Sequence, residues 1–138
     1  MSSPITVTII VDAPIEKVWD SFTKPEHIVG WAFASDDWEA PMAENDVTVG
    51  GKFKTVMAAK DGSASFDFSG VYTLVTPNKQ LDYDMDDGRH ASLYFTETSE
   101  GVKVTETFDP ENENPEEMQR KGWLSILENF KKYTESHN

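Results

Sequence analysis

Asn114-Pro115-Glu116-Glu117-Met118-Gln119-Arg120-Lys121-Gly122-Trp123-Leu124-Ser125-Ile126-Leu127-Glu128-Asn129-Phe130 is the stretch on which the fold turns. It opens with a side chain able to cap a helix, a proline suited to the first helical position, and two acids near the positive end of the helix dipole. Met118, Trp123, Ile126, Leu127 and Phe130 then recur at three- and four-residue steps, the stripe of a packed amphipathic helix. From Pro115 to about Tyr133 such a helix spans roughly 30 Å at about 1.5 Å per residue. Most of what precedes it alternates apolar and polar residues with the period of β-strands. A long helix arriving after antiparallel strands is expected to lie across the concave face of a curved sheet. The space between helix and sheet is then either filled with side chains or left as a pocket.

Working back along the chain, Val102, Val104, Glu106 and Phe108 share one parity, and Leu93 and Phe95 precede them across a Ser99-Glu100-Gly101 turn. Leu81, Tyr83 and Met85 alternate with Asp82, Asp84 and Asp86, and Asp87-Gly88 turns that strand into the next. Phe66, Phe68, Gly70, Tyr72 and Leu74 are expected on one face of a long strand ending before Pro77-Asn78. Phe53, Thr55 and Met57 alternate with Lys52, Lys54 and Val56 ahead of a Lys60-Asp61-Gly62 turn. Between Asp36 and Asp46 the pattern reads as loop with a weak strand at Trp38-Glu39-Ala40, interrupted by Pro41. At the front, Ile5, Val7, Ile9 and Val11 form a strand that Asp12-Ala13-Pro14 stops. A short helix with Ile15, Val18, Trp19 and Phe22 on one face follows, then a second that starts at Thr23-Lys24-Pro25-Glu26 and ends near Gly30-Trp31. The predicted class is α+β: a curved antiparallel sheet of about six or seven strands, two short helices after the first strand, and a long C-terminal helix. One domain over residues 1–138 is expected, without repeat or linker.

The composition narrows the function classes. Four Trp, eight Phe and four Tyr supply a core despite a hydrophobic share of 38%. The net charge of −13 excludes bulk electrostatic attraction to nucleic acid or to an anionic membrane. No apolar run approaches the roughly 20 residues of a membrane helix, so no membrane insertion is expected. No signal-peptide pattern is read at the N-terminus. The chain has no cysteine and no Asn-x-Ser/Thr site, which fits a cytoplasmic protein. Asp36–Asp46, Asp82–Asp87 and Glu106–Glu117 concentrate the acids, giving either a solvated surface or a face for a basic partner.

Order and joints together resemble the helix-grip fold of the START-related superfamily, which includes birch-pollen-allergen-like proteins and polyketide cyclases. More closely, the chain resembles the heat-shock protein 90 ATPase activator homologue-like family. The residues that carry the likeness are Asp12-Ala13-Pro14-Ile15-Glu16-Lys17-Val18-Trp19, Pro25-Glu26-His27 running to Trp31, Val49-Gly50-Gly51-Lys52-Phe53 and Phe68-Ser69-Gly70-Val71-Tyr72. Pro77 before Leu81, Thr105-Glu106-Thr107-Phe108 and Gly122-Trp123 complete them. The resemblance implies a shared scaffold without a common catalytic set, and an accessory role toward a heat-shock protein 90-type chaperone.

Glu106 is the residue that chemistry singles out. Strict alternation turns it inward, and an unpaired buried carboxylate costs several kcal/mol or takes up a proton. Inward Glu106 therefore implies a hydrogen-bond partner such as the Trp123 indole, a bulge that turns it outward, or a polar anchor in a cavity. Around it, Phe53, Phe66, Phe68, Tyr72, Tyr83, Met85, Leu93, Phe95 and Phe108 are expected to point inward, with Trp31, Trp123 and Leu127 facing them. This set is either core or the wall of an apolar ligand site. The Tyr72 and Tyr83 hydroxyls need partners, and Gly70 marks a strand bend or leaves room beside a ring. Gly122 within a helix suggests a close approach of its backbone to a strand or to Trp31.

Other motifs fall away. Asp82-x-Asp84-x-Asp86 lacks the glycine and glutamate spacing of a calcium loop. His27, His90 and His137 lack ligand spacing, so no metal is expected. Gly50-Gly51-Lys52-Phe53 is not a phosphate loop, and no Gly-x-Ser-x-Gly elbow occurs. The leading expectation is binding of a small, mostly apolar molecule between helix and sheet, without a cofactor. A chaperone accessory, using the Asp82, Asp84 and Asp86 face, is second. A cyclase- or dehydratase-like enzyme with Glu106 as base is third.

Overall fold

The computed structural model describes residues 3–136. Seven strands form one antiparallel sheet: β1 Ile5–Val11, β2 Trp38–Asn45, β3 Lys52–Ala59, β4 Ser65–Thr76, β5 Gln80–Met85, β6 His90–Thr98 and β7 Gly101–Phe108. Their order across the sheet is β1-β7-β6-β5-β4-β3-β2, so five successive hairpins lead from β2 to β7 and β1 closes onto the last strand. Helices α1, Ile15–Thr23, and α2, Pro25–Ile28, join β1 to β2, and α3, Glu116–Ser136, follows β7. The architecture is the helix-grip fold, with α3 laid along the inner face.

Alternation explains which face is inner. Ile5, Val7, Ile9 and Val11 are buried while Thr6, Thr8 and Ile10 point outward. The same rule buries Phe53 and Met57, Leu81, Tyr83 and Met85, Leu93 and Phe95, and Val102, Val104 and Phe108. Leu127 and Phe130 of α3 meet them at 1% and 0% exposure, each contributing about 1.5–3 kcal/mol by leaving water. The helix is also tied to edge strand β1: Arg120 donates to the Thr6 carbonyl at 3.0 Å and Lys131 to the Ile10 carbonyl at 2.7 Å. Cations on those carbonyls help to block the edge against pairing with another chain.

Five local expectations are corrected. β2 runs straight through Pro41, because β2 pairs only with β3 and a sheet edge tolerates a residue that donates no hydrogen bond. The irregularity is absorbed as a register shift between Glu39 and Met42. Leu74 does not share the inner face of β4: the ladder shifts between Tyr72 and Leu74, leaving Leu74 39% exposed and Val75 opposite Leu81. Met118 is 59% exposed, and Gln119 takes the buried position one residue on. Gln119 clamps the loop before the helix, donating to the Glu111 and Asn114 carbonyls and accepting from the Glu111 amide. The Asn114 side-chain amide donates to the Glu111 carboxylate, while the Pro115 carbonyl accepts the first helical bonds. Nor is Gly122 a point of close approach: a Cβ there would meet nothing within 4 Å. Gly70, by contrast, is required, since a Cβ would lie 2.3 Å from the Asp84 carbonyl oxygen and 3.0 Å from the Phe53 ring.

Candidate functional site

Between α3 and the sheet the side chains leave a cavity of about 240 Å³. Its floor is inner-face residues of five neighbouring strands: Phe53, Thr55 and Met57 of β3, Phe66, Phe68 and Tyr72 of β4, Leu81 and Tyr83 of β5, Leu93 of β6 and Glu106 of β7. Trp123, Ile126 and Leu127 of α3 form the roof. Phe22 of α1, Ile28, Trp31, Ala32, Glu44, Asn45 and Arg89 complete the lining. Phe66 keeps the inward parity but stands at the open rim, 52% exposed, with its ring 5.8 Å from that of Trp38.

Of the side chains predicted to meet a ligand, Trp31, Phe53, Phe66, Phe68, Tyr72, Tyr83, Leu93, Glu106, Trp123 and Leu127 come together in this wall. Met85, Phe95 and Phe108 are buried but do not reach it. Phe95 packs edge-on against Trp19 and Phe22, and Phe108 stacks on Trp123 at 3.8 Å and 7°. Trp31 is both core and wall: it is 5% exposed, and its indole N–H donates to the Ser21 carbonyl at 2.8 Å.

Glu106 faces inward and is only 6% exposed. The partner that sequence reading suggested, the Trp123 indole N–H, does not bond to it; the Trp123 ring stacks on Phe108. The Tyr83 hydroxyl donates to Glu106 Oε2 instead, over a rather long 3.2 Å. Burial pushes the Glu106 carboxyl up to about 8, only partly opposed by that hydrogen bond. Near neutral pH it therefore holds its proton. Burial, with the adjoining Glu106, lifts the Tyr83 phenol well above its ordinary range, and burial raises Tyr72 as well. Tyr72 donates to Asn45 Oδ1 at 2.6 Å, and Asn45 in turn donates to the Thr23 carbonyl at 2.7 Å, linking β4 to β2 and to the end of α1.

Sequence reasoning missed Asn45 and Arg89. Each had a signal: the Tyr72 hydroxyl needed a partner, and Arg89 follows the Asp87-Gly88 turn into a strand whose inner face is apolar. Arg89 lines the cavity and donates to Asp87 Oδ2 at 2.8 Å and to the Asp109 carbonyl at 3.2 Å.

Among the described residues no cluster of His, Asp and Glu could hold a metal ion. Asp82 and Asp84 flank His90 on the outer face of the sheet, at 3.8 and 2.7 Å, and Asp86 accepts from Ser69 at 2.5 Å. His137 lies outside the described residues. Among the described residues, no helix is long and apolar enough to cross a membrane.

The fold has counterparts of known structure. The AHSA1-like protein from Aeromonas hydrophila is 41% identical, with 97% of this chain aligned to 93% of that one and a TM-score of 0.92. A protein from Cytophaga hutchinsonii is 48% identical over 98% of this chain and 96% of its own, with a TM-score of 0.82. A protein from Nitrosomonas europaea, at 22% identity, shares the fold at a TM-score of 0.84, with 98% and 96% of the two chains covered. No curated protein sequence matches the chain. Residues 12–135 match the family described as Activator of Hsp90 ATPase homolog 1-like protein. With nearly its whole length matched, the chain belongs to the Activator of Hsp90 ATPase homolog 1-like family.

Proposed function

We propose that this protein binds a small, mostly apolar molecule in the cavity between α3 and the sheet. The observation that carries this reading is the cavity itself: about 240 Å³ under a largely apolar wall, with the Glu106–Tyr83 pair among its lining groups. A cavity of about 150 Å³ is enough to hold a benzene-sized molecule, so this one suits one or two rings or a short acyl chain. Burial of the ligand's apolar surface would supply the affinity, at roughly 25 cal/mol per Å² before the costs of association. The two tyrosines are held by hydrogen bonds, Tyr72 by Asn45 and Tyr83 by Glu106, so the polar groups would meet a ligand in preset positions.

A chaperone accessory role is compatible with the family's description. Its best surface is the row Asp82, Asp84 and Asp86, which carries contacts to His90 and Ser69.

A thermal melt against a panel of one- and two-ring compounds and short-chain fatty acids tests the ligand reading. A compound at 100 times its dissociation constant should add about 2.7 kcal/mol, a rise of several degrees for a domain of this size. Saturable shifts are expected for compounds that fit the volume, falling away for sterols and long acyl chains. A flat response across the small compounds would count against a ligand cavity.

A further inference from the structure

Glu106 is a carboxyl group of which the protein uses half. Oε2 accepts from Tyr83, and no group among the described residues engages Oε1. The side chain is 6% exposed, and Glu106 is part of the cavity lining. With Tyr83 donating to Oε2, the carboxyl proton belongs on Oε1, the oxygen that the protein leaves for an occupant. The cavity thus contains a pre-positioned O–H donor under an apolar wall.

The choice of ligand follows from what each candidate must leave behind in water. A cationic group would have to be desolvated together with an ionised Glu106, and burying such a pair costs several kcal/mol per ion before their attraction returns any of it. A neutral acceptor oxygen loses only its own hydration and regains a hydrogen bond. Resting on the reading of the cavity as a ligand site, we propose that the occupant is an uncharged molecule of one or two rings with a carbonyl-type acceptor oxygen, bound through the O–H of the Glu106 carboxyl.

The groups around Glu106 support this assignment. β5 presents Tyr83, with Tyr72 of β4 behind it, and burial keeps both phenols protonated. α3 presents Trp123 and Leu127, α1 presents Phe22, and the segment after α2 presents Trp31, none of which titrates. Glu44 is exposed on β2, and Arg89, which also lines the cavity and whose charge reaches Tyr83, is engaged by the Asp87 side chain and the Asp109 carbonyl. Burial of Glu106 favours its acid form up to about pH 8.

Three compounds with the same ring system separate the possibilities: tetralin, 1-tetralone and 1-aminotetralin, titrated into the intact protein at pH 6 and pH 9.5. Tetralone is expected to bind about tenfold more tightly than tetralin at pH 6, the value of one hydrogen bond, and to lose that advantage at pH 9.5. Glu106→Gln, whose amide still donates, should keep the tetralone preference at both pH values, and Glu106→Leu should abolish it at both. Equal affinity for tetralin and tetralone at pH 6 would overturn the donor role while leaving the cavity reading in place. So would tightest binding of aminotetralin that Glu106→Gln removes. No binding of any of the three would overturn the cavity reading, and this inference with it.

Discussion

Glu106→Gln is expected to be several kcal/mol more stable than the parent protein at pH 9 and nearly equal to it near pH 4.5. The folded protein holds the Glu106 proton up to about 8, against an ordinary value of 4.5. Between those values the native state carries a proton that the unfolded chain has released, so stability falls as pH rises. The contribution is intact below pH 4.5 and is lost by the time pH has passed 8. At about 1.4 kcal/mol per pH unit the loss accumulates to roughly 4–5 kcal/mol, a large part of the 5–15 kcal/mol typical of a domain. Glutamine has nearly the same shape, can accept the Tyr83 hydrogen bond and has no charge to bury. The other carboxylates of a chain with net charge −13 titrate in both proteins and cancel in the difference. Urea unfolding of the two proteins across pH 4.5–9 measures it. Curves that run parallel would show Glu106 to be solvated, or paired as a carboxylate.

Phe130→Ala is expected to cost about 3–5 kcal/mol. Phe130 is 0% exposed, and its ring packs edge-on against Phe22 at 5.2 Å and Trp31 at 5.0 Å. It thus joins α3 to α1 and to the segment after α2. The neighbours are large, rigid rings that cannot collapse into the space a phenyl group leaves, which places the cost toward the upper end of the range. Differential scanning calorimetry should show the midpoint falling by about 10 °C or more. A drop of only two or three degrees would mean that the three rings do not form one packed unit.

Wherever a single period ran unbroken, the sequence reading matched the structure. The alternation of β1, β3, β5 and β7 assigned each side chain to the correct face, including the unusual inward Glu106. The exceptions arise where the period is broken by something that alternation does not encode. The bulge after Tyr72 moves Leu74 outward because β4 and β5 lose register there, and nothing in Phe66 to Leu74 announces it. Pro41 looked like a stop because its place at a sheet edge depends on strand order. Gln119 replaces Met118 in the helix stripe because the loop from Glu111 to Asn114 offers it hydrogen bonds, a tertiary gain that hydrophobicity counts miss.

The site was legible in kind but not in pairing. Both tyrosines needed hydroxyl partners, and both have them, Asn45 and Glu106. Identifying those partners requires the register across strands. Leu93 sits beside Glu106, and Leu81 beside Leu93, so Tyr83 approaches Glu106 diagonally from two strands away. Trp123, the partner suggested from sequence, stacks its ring on Phe108 and makes no hydrogen bond to Glu106. Whether inward aromatics leave a space is a matter of ring tilt and helix height, quantities that no residue pattern carries.

The most direct measurement is a two-dimensional NMR titration of the labelled protein with tetralin, following the indole N–H and methyl signals. A ligand held between α3 and the sheet should shift the Trp31 and Trp123 indoles and the Ile126 and Leu127 methyls saturably and together. The outward threonines of β1 should stay still. Saturable shifts confined to the outer face, or no saturable shift at all, would contradict a ligand cavity beneath the helix.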